Sequence, residues 1–171
     1  MTMRTTIEDT AKSVLNALTP GESQPDVLDT LGAEHDEVQD LLGKLTKSDT
    51  AREQTALVAK IKKALIPHSK AEEAIVYDAI IGLKGEEPKV DGHEGYTEHA
   101  LASATLKQLD ALEPNTPEFK ATAKVLKELL DHHIKEEENN VWSDVKKNFS
   151  AEQRARMNRD YLAAKQAVPV A

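Results

Sequence analysis

Two short stretches of the chain, "HSKAE" at 68–72 and "HIKEE" at 133–137, each set a histidine four residues ahead of a glutamate. Four residues is about one turn of an α-helix, so the two side chains of each pair share a face. An imidazole beside a carboxylate on one face can form a hydrogen bond or hold a metal ion. A single such pair is ordinarily solvated surface. The question is which way these faces point.

The neighbouring apolar residues answer it. Between 25 and 46, Leu28, Leu31, Val38, Leu42 and Leu45 advance by threes and fours, and the one missing position of that stripe is His35. Extending Leu109, Leu106 and Ala102 backwards by three reaches His99. Ile61 and Leu65 lead to His68, Glu72 and Ile75, while Leu126 and Leu130 lead to His133, Glu137 and Val141. His35, His68, Glu72, His99, His133 and Glu137 therefore occupy core positions on four helical segments. A buried carboxylate is costly unless it is paired or binds a cation. Two carboxylates among four imidazoles in one core point to metal ligation.

The two halves of the chain repeat. "AEHDEVQDLLGKL" (33–45) aligns with "TEHALASATLKQL" (97–109) at an offset of 64, and "HSKAEEAIVY" (68–77) aligns with "HIKEEENNVW" (133–142) at an offset of 65. Each half is a helical hairpin contributing one His and then one His-x-x-x-Glu, a symmetry that matches a two-metal site. Register selects His133 over His132, which lies about 100° round the helix. It likewise selects Glu72 over Glu73, and Glu137 over Glu136 or Glu138.

The elements that must carry these residues are legible from punctuation. Gly and Pro cluster at 19–25, 82–92 and 113–117. Between them the spacing predicts helices over 25–46, 49–83, 92–112 and 117–148. A short leading helix at 6–18 begins at Thr6, and a last helix at 150–166 begins at the capping-box pair Ser150 and Gln153. Pro67 falls inside the 49–83 segment and should kink it. The fold class is all-α, a helical bundle (25–148) between an N-terminal extension (1–24) and a C-terminal helix and tail (149–171). The two terminal pieces could cap the bundle, dock a protein partner or form a homodimer.

Composition narrows the chemistry. The net charge of −8 argues against nucleic acid and against an anionic membrane surface. No apolar run approaches the roughly 18 residues of a membrane span, and the N-terminus lacks the apolar centre of a secretory signal. A cytoplasmic protein is the expectation. With no cysteine there is no thiolate nucleophile and no Cys-based metal site. "HEGYTEH" (93–99) is not the zinc-protease HExxH, because Thr97 stands where its second His belongs. No histidine has Glu three residues earlier, as the Glu-x-x-His of ferritin-like bundles requires.

The joint pattern H…HxxxE…H…HxxxE, on His35, His68/Glu72, His99 and His133/Glu137, resembles the hemerythrin-like (HHE cation-binding) family over roughly 25–148. "EEAIVYDAI" and "EENNVWSDV" resemble that family's continuation after each HxxxE. The resemblance implies an up-and-down four-helix bundle around a non-haem di-iron centre. Four terminal histidines and two bridging glutamates would hold two iron ions, oxo- or hydroxo-bridged and cycling between ferrous and ferric. Oxygen-carrying relatives use a fifth histidine one turn from the third-helix ligand; here those positions are Gly95 and Ser103. The second HxxxE also replaces those relatives' longer His–Asp spacing. That departure favours reaction with oxygen, peroxide or nitric oxide, catalase-like or peroxidase-like, over reversible oxygen storage. Tyr96 and His93 are candidates for an additional ligand or a supporting contact, and Glu94 is a weaker one. Iron donation or iron–sulfur repair, and an iron- or oxygen-responsive regulatory module, are the alternative roles.

Overall fold

The computed structural model describes residues 24–170, and among them all regular structure is helical. α1 is Val27–Lys47, α2 is Ala51–Glu72, and a π-helical stretch, Glu73–Tyr77, joins α2 to the short α3, Asp78–Ile81. α4 is Glu87–Ala111, α5 is Pro117–Asn139, α6 is Val141–Asn148 and α7 is Ala151–Ala167. The helix expected over 6–18 lies outside the described residues. No described helix is long and apolar enough to cross a membrane.

Local chemistry starts these helices where they start. Side chains of Asp26, Thr50 and Thr116 accept backbone N–H groups of Leu28, Glu53 and Phe119, and Ser150 with Gln153 forms the expected capping box. In the α4–α5 loop Asn115 adopts a left-handed φ of 64°, a conformation Asn tolerates. Its N–H donates to the buried Gln54, whose amide in turn donates to the Ser48 carbonyl. One side chain thus ties the α1–α2 and α4–α5 loops together.

α1 packs on α2 and α5, α4 packs on α5 and α2, and α7 packs across α1, α2 and the π stretch. Two apolar clusters result. One contains Leu42, Leu45, Ile61, Leu65, Leu106, Phe119 and Leu130. The other contains Val27, Leu31, Val76, Tyr77, Val141 and Tyr161. The six polar core residues lie in chain order between these clusters on α1, α2, α4 and α5, and every one is buried. They form a polar layer between two dry regions.

Two helix bounds are corrected, and one irregularity is new. Pro67 lies inside a continuous helix, as expected, and α geometry holds to Glu72; the irregularity comes at Glu73–Tyr77. In an α-helix, Tyr77 would sit about 140° round from Glu72. The extra residue of the π turn brings both to the interior. The 117–148 helix divides at Asn140, again within one turn after the site glutamate. α4 starts at Glu87 and not near 92, with Pro88 in its first turn, so Gly92 and Gly95 are helical and buried. A Cβ on Gly92 would come within 2.6 Å of Ile81, and one on Gly95 within 2.5 Å of Tyr77. These glycines let α4 close on the chain following α2.

Candidate metal centre

The six core residues converge from four helices. Glu72 lies between the two halves, its Oε2 3.3 Å from His68 Nε2 and 3.4 Å from His99 Nε2. Glu137 does the same from the other side, its Oε2 3.3 Å from His133 Nε2 and 3.6 Å from His35 Nε2. His99 and His133 approach to 3.1 Å through their Nε2 atoms. Two triads, His35/His68/Glu72 and Glu72/His99/His133, each bring one ligand atom per residue within 4.8 Å of the others. Glu72 belongs to both.

Each of the four core histidines is oriented from behind by a carboxylate at Nδ1. His35 meets Glu138 at 3.0 Å, His68 meets Glu34 at 2.9 Å, His99 meets Glu73 at 3.3 Å and His133 meets Glu98 at 2.7 Å. An Nδ1–H donated outward leaves Nε2 as the inward lone pair, the arrangement that supports a metal-ligating imidazole. These four carboxylates obey the duplication: Glu34 and Glu98 differ by 64, Glu73 and Glu138 by 65. The spacing selects Glu72 and Glu137 for the interior and leaves their neighbours unassigned; the repeated "EH" and "EE" pairs were the available signal.

The aromatic surroundings are less symmetric. Tyr77, fully buried, points its hydroxyl at Glu72 Oε2 (3.3 Å) and lies 3.4 Å from His99 Nε2. Its counterpart in the repeat, Trp142, stacks on His35 with ring centroids 5.9 Å apart. Tyr161 of α7 donates to Glu34 at 2.5 Å and stands 3.1 Å from His68 Nδ1, and Lys165 reaches the same carboxylate at 2.7 Å. Among the described residues no such helix lies over Glu98; the exposed His132 is its second neighbour, at 3.5 Å.

Tyr96 does not join the six. Its hydroxyl lies 2.8 Å from the Asp78 carboxylate and 3.2 Å from the Glu73 carbonyl oxygen, with one proton to share between these acceptors, so it steadies the π stretch that carries Glu73. His93 and Glu94 are exposed on α4, and Glu94 lies on the rim of a crevice that leads to His133 and Glu137. Beside the four orienting glutamates, the neighbours that the spacing does not indicate are aromatic: Tyr77, Trp142 and Tyr161.

Electrostatics follow from burial and pairing. Burial alone would push Glu34 up, but hydrogen bonds from His68, Lys165 and Tyr161 outweigh it and hold the carboxyl at about 2. Burial would lower His68; the charge of Glu72 and the bond to Glu34 outweigh it and raise the imidazole to about 9. For Glu72 burial is likewise outweighed, chiefly by His68, and the carboxyl is held well below its usual range. Burial and the Glu72 charge push Glu137 well above it.

The residues fit a cation. His35 Nε2, Glu72 Oε1 and both carboxylate oxygens of Glu137 are buried without a hydrogen-bond partner. Such atoms are costly to bury, and positive charge between the imidazoles would satisfy them. The donor set of imidazole and carboxylate suits iron, manganese or zinc.

With this geometry in place, the comparisons with known proteins agree. The profile of the hemerythrin HHE cation binding domain matches residues 26–142. The chain belongs to that family, whose domains bind metal cations. Over 155 residues, 90% of this chain and 43% of the relative, it is 28% identical to a DNA nickase of Nostoc sp. (strain PCC 7120). Over 105 residues, 61% of this chain and 52% of the relative, it is 30% identical to an uncharacterized hemerythrin-like protein of Schizosaccharomyces pombe. The chain thus spans about half the length of these curated relatives. No solved structure matches.

Proposed function

We propose that this chain is a non-haem di-iron protein that binds or reduces small oxidants: oxygen, peroxide or nitric oxide. The observation that carries the reading is the placement of Glu72 and Glu137, each between imidazoles of both halves. His35 with His68, and His99 with His133, are the terminal ligands of this proposal, and the two glutamates bridge. The four long helices are read as an up-and-down four-helix bundle, with α7 added against one side.

Two irons held there would supply one-electron chemistry between ferrous and ferric states. The protein supplies orientation and exclusion of water. Four carboxylates fix the imidazoles, and the two apolar clusters keep the layer dry. The place one turn before His99 is Gly95, and the Tyr77 ring packs against it. No fifth histidine occupies that corner, which supports reaction over simple carriage. A groove between α2 and α4, lined by Leu65, Ile66, Tyr96, Ala100 and Ser103, reaches His99 and offers a small molecule an approach.

We propose no nucleic-acid partner, because a net charge of −8 repels a phosphate backbone. The test of function is to load the protein anaerobically with ferrous iron and mix it with peroxide, oxygen or nitric oxide in turn. Reaction of at least one, faster than with free ferrous iron, is the expected result. If all three react no faster than with free iron, the oxidant reading fails.

A further inference from the structure

The repeat has been built differently on its two sides. Beside Glu137, a narrow crevice between α4 and α5 is lined by Asp91, Glu94, Gly95, Glu98, Glu136 and Asn140, and it reaches His133 and Glu137 themselves. Both carboxylate oxygens of Glu137, a residue 2% exposed, lack a hydrogen-bond partner there. Negative charge converges on the mouth: besides its burial, Asp91 is pushed up by Asp144, Glu87, Glu94 and Glu136.

The same offsets map this crevice onto the other half. Asp91 aligns with Val27, Gly95 with Leu31, Glu136 with Ala71 and Asn140 with Ile75. Val27, Leu31 and Ala71 are fully buried in one apolar cluster with Tyr161, which α7 lays over them. Glu94 aligns with Thr30, and Glu98 with Glu34, which Tyr161 and Lys165 cover; among the described residues one approach to the centre is therefore largely apolar and closed, while its twin is acidic and open to solvent. Core packing does not call for four carboxylates around a crevice, since their mutual repulsion costs stability. A cation passing to Glu137 would relieve that repulsion.

We propose that the crevice bounded by Asp91, Glu94, Glu98 and Glu136 is the path by which a divalent cation reaches the centre. It rests on the reading of the six buried residues as metal ligands. Carboxylates at the mouth concentrate the hydrated ion, and Glu98, already holding His133, stands at the last step before Glu137 and His133.

The test is the rate of cobalt(II) or anaerobic ferrous-iron loading, followed by absorbance in a stopped-flow instrument. The full chain is compared with Asp91→Asn/Glu94→Gln/Glu136→Gln, none of which is among the six buried ligands of the proposed centre. Asp36→Asn/Glu37→Gln/Asp40→Asn on the exposed face of α1 removes the same charge elsewhere. The crevice variant should load at least about tenfold more slowly at low ionic strength, with a weaker salt dependence. Its final stoichiometry and spectrum should equal those of the unaltered chain, and the α1 variant should load normally. Equal rates in the crevice variant, or equal slowing in both variants, would overturn the path while leaving the centre intact. An unaltered chain that binds neither metal would instead overturn the reading of the centre.

Discussion

Glu34 and Glu98 stand 64 residues apart and do the same work in opposite halves, each accepting from Nδ1 of the histidine on the next long helix, His68 at 2.9 Å and His133 at 2.7 Å. The duplication that places the six inward residues therefore also places the groups that aim them. Their settings differ, because Tyr161 and Lys165 fasten Glu34 alone.

The shared role predicts matching defects at the two carboxylates and a one-sided defect at Tyr161. Glu34→Gln and Glu98→Gln should each weaken metal binding by about 10- to 100-fold, because each loosens one imidazole. Tyr161→Phe should mimic a mild Glu34 defect and leave the His133 side unchanged. Chelator competition on the three variants measures this; equal affinity in all three and the unaltered chain would refute it.

Close packing at Gly95 predicts a stability effect. Gly95→Ala puts a methyl group within 2.5 Å of Tyr77. It should cost about 1–3 kcal/mol by overpacking. Gly43, with nothing within 4 Å of an added Cβ, should tolerate alanine and even gain about 0.5–1 kcal/mol of helix propensity. Urea unfolding of both variants checks the contrast.

Without metal, stability should depend on pH in a defined direction. His68 is raised to about 9 when folded. Its contribution is fully present below the ordinary histidine value and is lost as pH rises through about 9. Glu34, held at about 2, contributes fully above the ordinary carboxylate range, and that is lost as pH falls through about 2. The two describe one ion pair and count once. Chelator-treated protein should lose on the order of 2–3 kcal/mol between pH 6 and 10. Denaturant titration measures it, and a flat profile in metal-free His68→Gln would assign the loss to this imidazole.

Much of this centre is legible in sequence because two independent regularities coincide. The apolar stripes have gaps at His35, His68, Glu72, His99, His133 and Glu137, and the 64- and 65-residue offsets make those gaps equivalent. All six are buried and meet in one layer. Glu34, Glu73, Glu98 and Glu138 are harder to read, because they sit at the edge of the stripe where a helical pattern expects solvated charge. Tyr161 is not legible at all, since nothing within "RDYLAA" says which helix its ring will meet. The π turn at Glu73–Tyr77 escapes periodicity for the same reason, as only packing of Tyr77 against Gly95 and Glu72 requires it.

The most direct test of the centre is the iron content of the purified chain, offered ferrous iron without oxygen, beside His68→Ala/His133→Ala. About two irons per chain, lost in the variant while its helical circular dichroism is retained, is the predicted result. A well-folded, unaltered chain that stays free of metal under those conditions would contradict it.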